Sequence, residues 1–246
     1  MAKYLLLLLL IIATALGWMS FGFETSLVEA EPPFSPPQPH YYKDPSVSIK
    51  EIVIGAVYFA PKNKEKTKTE NWKELLEEHL VRLKEFHSFQ FQGYSSIRFI
   101  IYPEVITGLK ENLAYDTDVT QNGNPSGLIN VTEEINSRLL SLEGDQYWAE
   151  FASEKHAYPV LYILYEGVGA SGTDGVALLS RQFLSDPQYA DQNNSFFAHE
   201  FYHTVGIPDA YGENSHAYSS DLMGLGRFLP LAHTYLDRAT LKELGL

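Results

Sequence analysis

The chain of 246 residues contains no cysteine. Disulfides therefore have no part in its stability. Basic residues are scarce: 18 lysine and arginine residues stand against 31 acidic ones, for a net charge of −13. No stretch gathers them into the basic patch that a nucleic-acid partner requires, so no such partner is expected. The acidic surface is read as a solubility feature. No internal repeat is present. The glycine-rich stretch Gly167 to Gly175 lacks the lysine of a phosphate loop and the spacing of a dinucleotide fold, and is read as a flexible hairpin connection. What the chain does have is apolar content, 45% of residues, enough for a proper core.

The N-terminus stands apart from that core. After Lys3, the twenty residues Tyr4 to Phe23 carry no charge, and Leu5 to Ile12 is their densest apolar part. A basic residue and then an apolar run is the pattern of a secretory signal, and Val28-Glu29-Ala30 places small residues where signal peptidase uses them. A run of this length also suffices to span a bilayer, with Lys3 kept on the cytoplasmic side. Residues 1–30 are thus read as a signal peptide or an N-terminal signal anchor. Either version exports the remainder of the chain, as a secreted protein or one held at a membrane through residues 4–23. Residues 31–49 contain Pro32, Pro33, Pro36, Pro37, Pro39 and Pro45 and are read as an extended proline-rich linker. Residues 50–246 are left as one folded domain of unspecified oligomeric state.

Within that domain Ile52 to Tyr58, Ser96 to Tyr102 and Val160 to Tyr165 read as buried strands, the second stopped by Pro103. Trp72, Leu75, Leu76, Leu80, Leu83 and Phe86 recur at helical spacing, so a long amphipathic helix is expected to about residue 88, with Thr69 as its N-cap. His79 and His87 on that helix are read as structural or solvated. Residues 103–129 read as irregular. Among them Asp116, Asp118, Asn122 and Gly123 offer oxygen ligands of the kind Ca2+ takes, but the EF-hand's glycine at the sixth position and glutamate at the twelfth are missing, and a turn-rich surface loop is the simpler reading. A second helix is expected from Thr132 to about Leu142, and a short closing helix from Leu236 to Leu244, capped by Asp237 and ended by Gly245.

The chemistry concentrates in residues 199 to 211, His-Glu-Phe-Tyr-His-Thr-Val-Gly-Ile-Pro-Asp-Ala-Tyr. His199 and His203 are four apart, which on a helix places both imidazoles on one face, one turn apart. Two imidazoles there can hold one Zn2+, while Glu200, turned to the neighbouring side, can take a proton from water. Asn194 or Ser195 would cap this helix. Gly206 follows where the helix stops, since glycine reaches the left-handed conformation that a C-cap often needs, and the chain can then return Asp209 to the same metal. Met223, in Ser-Asp-Leu-Met-Gly, lies about twenty residues past the second histidine. His216 and His233 compete with Asp209 as third ligand, and Tyr202, Tyr211, Tyr218 and Arg227 are near enough in sequence to assist an oxyanion. Glu213 is too close to serve as a glutamate ligand from a second helix. Asp221 is placed to hydrogen-bond a ligand or the turn.

H-E-x-x-H-x-x-G-x-x-D followed by a methionine turn resembles the metzincin zinc peptidases, especially members with an aspartate ligand such as snapalysin. The run His203 to Tyr211 with Asp221 to Gly224 is also similar to the immune inhibitor A group of secreted bacterial peptidases. The close match covers residues 199 to about 226. The departure is Asp209, where most metzincins carry a third histidine; its negative charge should weaken the metal as a Lewis acid. The resemblance implies an α+β, metzincin-like zincin fold: a twisted mixed sheet with two long helices, the active-site helix, a Met-turn resting on Met223 as an apolar floor, and a C-terminal helix. It implies an exported endopeptidase acting on protein or peptide substrates through a zinc-activated water, with Glu200 as general base. Many metzincins block the zinc with a propeptide cysteine, which is absent here. The resemblance also gives residues 176–182 a role as the edge strand beside substrate, against the plainer reading of an ordinary sheet strand. The alternative function is a catalytically silent, zinc-containing domain that binds peptides at the cell surface.

Overall fold

Alternation along two central strands sorts the apolar residues onto the two faces of one sheet. The computed structural model describes residues 35–117, 124, 126–143, 157–211 and 219–246. Those from Pro37 onward belong to one folded unit. A small hairpin of β1 (His40–Tyr41) and β2 (Asp44–Ser48) opens it. The main sheet holds β3 (Glu51–Ala60), β4 (Ser96–Thr107), β5 (Tyr158–Tyr165), β6 (Ala170–Thr173) and β7 (Val176–Ser180), in the order β4-β3-β5-β7-β6. Among the described strands of this sheet, only β6 runs antiparallel to its neighbour. Among the described residues the α-helices are α1 (Trp72–Gln90), α2 (Gly127–Glu143), α3 (Arg181–Ser185), α4 (Asn193–Thr204) and α5 (Arg238–Glu243).

Side chains of a strand point to opposite faces in turn. Ile52, Ile54, Ala56 and Tyr58 of β3, with Val160, Tyr162 and Leu164 of β5, share a core with Leu76, Leu80 and Leu83 of α1 and Phe197 and Phe201 of α4. Val53, Val57 and Phe59, with Leu161, Ile163 and Tyr165, meet Val131, Ile135 and Leu139 of α2 on the other face. The two long helices thus lie on opposite faces, and the unbroken apolar runs of β3 and β5 follow from burial on both sides. Each fully buried leucine of α1 contributes about 2 kcal/mol.

Several local expectations are corrected. β4 continues through Pro103 to Thr107. It is an edge strand, and its pairing steps from Ala56–Ile101 to Tyr58–Val105, so a bulge takes up the residue that has no N–H to donate. α1 begins at Trp72 behind Asn71, while the Thr69 hydroxyl bonds Asn71 Oδ1 at 2.7 Å instead of capping. α2 begins at Gly127, five residues before Thr132, behind an Asn124 side chain that accepts from Ser126 N at 2.8 Å. Residues 170–173, expected to be part of a flexible connection, form the true sheet edge, and β7 lies inside the sheet between β5 and β6. Residues 181 and 182 belong to α3.

The second half of the expected linker is folded onto the domain. Gln38 and His40 donate backbone bonds to Gly245 and Leu244, Tyr42 donates to Val205, and Ile49 is fully buried. The apolar run 4–23, and with it the signal or anchor reading, lies outside the described residues. Among the described residues, no helix is long and apolar enough to cross a membrane. Asp118, Asn122, Gly123, Glu213, His216 and Tyr218 also lie outside them. Asp116 is described and buried; its carboxylate accepts from Tyr165 Oη at 2.7 Å, Val168 N at 2.9 Å and Asn112 Nδ2 at 2.5 Å.

Candidate metal centre

α4 is seated on the sheet through tyrosine hydroxyls. Tyr162 Oη donates to the Phe197 carbonyl at 2.8 Å, and Tyr158 Oη to that of Thr204 at 2.7 Å. The Tyr162 ring stacks on Phe197 with centroids 4.1 Å apart. β6 comes against the same helix at Gly172, where an added Cβ would lie 2.5 Å from the Glu200 carbonyl and 2.6 Å from His203 Cβ. Any side chain there would push the strand off the site. The helix starts behind Gln192, with no side-chain cap. The two expected caps are otherwise engaged: Asn194 Oδ1 meets His79 Nδ1 at 2.8 Å, and Ser195 Oγ donates to the Leu229 carbonyl at 2.6 Å.

The end of α4 turns the chain back toward the two histidines. Gly206 has φ +86°, the left-handed conformation. Gly206 N donates to His203 O at 3.0 Å and Ile207 N to Tyr202 O at 3.2 Å, the paired bonds of a Schellman ending. That turn brings the Ile207 carbonyl back to accept from His203 Nδ1 at 2.8 Å. Gly206→Ala would place a Cβ 2.7 Å from the Tyr41 hydroxyl oxygen, and closer still to its ring, in a conformation that L side chains avoid. The expected loss is about 2–3 kcal/mol of unfolding free energy. A denaturant midpoint matching the parent would refute this account of the turn.

His199, His203 and Asp209 converge. Nε2 of His199 lies 3.2 Å from Nε2 of His203, and Asp209 Oδ1 lies 3.2 Å and 3.3 Å from the two nitrogens. Backbone carbonyls fix both tautomers. His199 Nδ1 faces Leu222 O at 3.0 Å and His203 Nδ1 faces Ile207 O at 2.8 Å, and a carbonyl can only accept. Each Nδ1 therefore carries the hydrogen, and each Nε2 turns a lone pair to the centre. Three electron-pair donors at these separations repel one another unless a cation lies between them. Their spacing matches the edges of a tetrahedron whose centre-to-ligand distance is about 2.0–2.1 Å, which are about 3.3 Å, so the donor set fits zinc. A shared proton fits less well, since charge-assisted N–H···O bonds are about 2.7–2.9 Å long.

The electrostatics agree. Burial alone would raise the pKa of Asp209, but in the metal-free site hydrogen bonds from the imidazoles, once an Nε2 takes up a proton, and from the Tyr211 hydroxyl, which donates to Oδ2 at 2.7 Å, hold it well below the usual carboxylate range. Burial alone would lower His203, but Asp209 and Glu200 raise it. Both directions describe a pocket that attracts positive charge. Glu200 is raised instead, first by burial and also by Asp209, with His199, His203 and Arg227 opposing.

The three donors open onto a cavity of 390 Å³ lined by Ala170, Ser171 and Gly172 of β6, by Glu200, and by Tyr211 and Arg227. Two larger recesses, of 560 Å³ beside Phe86 and 690 Å³ beside Val47, lack such a cluster; among the described residues this is the one metal-type grouping. Chemistry rather than volume singles out the site. Met223 is fully buried, and its carbonyl accepts from Ala210 N at 2.8 Å, which ties the chain after Asp209 to the methionine turn. Asp221 serves that turn, accepting from Met223 N at 3.4 Å and Asp237 N at 3.3 Å.

Tyr211 and Arg227 are at the site, whereas Tyr202 is fully buried on the far side of α4 against His87 and Phe91. His233 is exposed and outside the cluster. Sequence reading missed the carbonyls of Leu222 and Ile207, which orient the histidines. Only the glycine at 206 hinted at the second.

No protein-family model matches the chain, and no curated protein matches it. Solved structures do. OgpA from Akkermansia muciniphila is 15% identical, with a TM-score of 0.51, over 80% of this chain and 62% of its own. A zinc-dependent peptidase from Methanocorpusculum labreanum (strain Z) is 14% identical, with a TM-score of 0.41, over 78% of this chain and 99% of its own. Metalloproteinase-II from Bacteroides fragilis is 13% identical, with a TM-score of 0.43, over 87% of this chain and 57% of its own. The chain thus spans 62% of the OgpA chain, and at this identity the likeness is one of fold.

Proposed function

We propose that the chain is an exported zinc-dependent endopeptidase of metzincin type, with His199, His203 and Asp209 as metal ligands and Glu200 as general base. The observation that carries the reading is the set of three converging lone-pair atoms spaced 3.2–3.3 Å apart beside a buried carboxylate. Zinc held there supplies a Lewis acid that makes water nucleophilic at neutral pH and polarises a carbonyl. Glu200 takes the proton of the attacking water on a carboxylate oxygen and delivers it to the leaving amine nitrogen. β6, at the sheet edge and on the cavity wall, pairs with the substrate backbone by strand addition. Residues 1–30 act as signal or anchor and carry the domain across a membrane, so the substrate is an exported or external protein.

The full chain should purify with zinc and cleave an unfolded protein such as casein. His203→Ala should lose more than about 100-fold in zinc affinity, since even residues behind the ligands cost about 10–100-fold, and should lose cleavage with it. Wild-type chain without zinc, or a His203→Ala chain that keeps it, would end the proposal.

A further inference from the structure

Arg227 lines the cavity and is packed between two aromatic rings. Its guanidinium carbon lies 4.0 Å from the centre of the Tyr211 ring and 4.8 Å from that of Phe228. The short turn that carries it, Leu225–Phe228, is anchored at both ends. Gly226 N donates to the Asp221 carbonyl at 2.9 Å, and the Leu229 carbonyl accepts from Ser195 of α4 at 2.6 Å. Nη1 comes within 4.0 Å of Asp209 Oδ1, the oxygen that faces both histidines, while Tyr211 occupies the other oxygen at 2.7 Å. The arginine charge thus lies at the outer reach of an ion pair with Asp209 Oδ1.

We infer that Arg227 is a positioning residue that offsets the charge of the aspartate ligand, so that the site binds zinc with the net charge of a three-imidazole site. This rests on the proposed zinc site. A neutral third imidazole would leave the metal its full charge, whereas a carboxylate subtracts one unit. Arg227 restores that unit from outside the ligand set and draws electron density away from Oδ1. The guanidinium suits the task because it stays charged at any working pH and stacks on aromatic rings. Aspartate provides a short ligand after the Gly206 turn, and Arg227 keeps the metal acidic despite it.

The sign of one measurement separates this from a structural role. Removing a positive charge near the metal should tighten zinc binding, whereas loosening a structural support should weaken it. In the full chain, Arg227→Met should bind zinc about tenfold more tightly by chelator competition, with kcat lower by about tenfold and KM little changed. Arg227→Lys, which keeps the charge and is the safer variant for folding, should stay within about threefold of wild type in both affinity and kcat. Equal or weaker zinc binding in Arg227→Met overturns the inference, as does a Lys variant whose affinity departs from wild type by tenfold. Wild-type chain that binds no zinc defeats the proposed function itself, and this inference with it.

Discussion

Glu200→Gln should lower the turnover of an unfolded protein by about a hundred- to ten-thousandfold while zinc stays bound. Glutamine keeps the shape of the side chain but cannot accept the proton. Two carboxylates share this site, and their surroundings push them apart. Asp209 is held well below the carboxylate range and stays an anion, whereas Glu200, buried in the cavity wall, is raised by that burial. Divergent environments of this kind separate the roles of paired acids. Because the substitution replaces a charge in a buried place by a neutral amide, the unfolding midpoint should not fall. Zinc content and steady-state cleavage, measured on the same preparation, decide the matter. A variant that keeps more than a tenth of the activity removes Glu200 as the base, and one that loses its zinc makes it a ligand.

The parts of this site legible in the sequence are those set by local geometry. The spacing of His199 and His203, the left-handed Gly206 and the return to Asp209 all fall within eleven residues of chain, and the fold brings them together. The buried runs of β3 and β5 were equally plain, because a strand covered on both faces has no polar alternation to hide it. What could not be read depends on distant partners. At about 100° per residue, Glu200 and Tyr202 lie at equal angles on either side of the histidine pair. Only the packing of α1 against α4 decides that Tyr202 turns to the core and Glu200 to the cavity. β7 could be read as a substrate-facing edge or as an ordinary sheet strand, and only the pairing of β6 outside it decides; nothing within Ala170–Thr173 announces that strand, since its residues are small. Pro103 stopped a strand on paper because the sequence does not say that β4 lies at an edge.

Acidification should unfold this protein earlier than its carboxylates alone would cause, and His87 is the reason. The side chain is fully buried, and Phe91 stacks on it at 4.0 Å. Ser95 Oγ donates to the Ile49 carbonyl at 2.5 Å and so accepts from His87 Nε2 at 2.8 Å, which leaves His87 Nδ1 to accept from Tyr202 Oη at 3.3 Å. The network is satisfied only by the neutral ring. Burial pushes its pKa down to about 3, with no carboxylate nearby to offset the cost. The unfolded chain, with an ordinary histidine pKa of about 6.5, binds a proton that the folded chain refuses. The stability contributed by the neutral ring is therefore complete above the unfolded value and is lost as pH falls from there toward the folded value. Between pH 7 and pH 4.5 the loss is about 2–3 kcal/mol. His79, also buried and shifted down, acts in the same direction. Denaturant unfolding of metal-free protein across that range should show the decline in wild type. His87→Gln should start lower at pH 7, with Ser95 and Tyr202 less well paired, but fall by about 2 kcal/mol less on acidification. The comparison cancels every other titrating group, since both proteins share them. Parallel curves for the two proteins would mean that His87 takes up its proton without unfolding the chain, and the acid sensitivity would have to come from elsewhere.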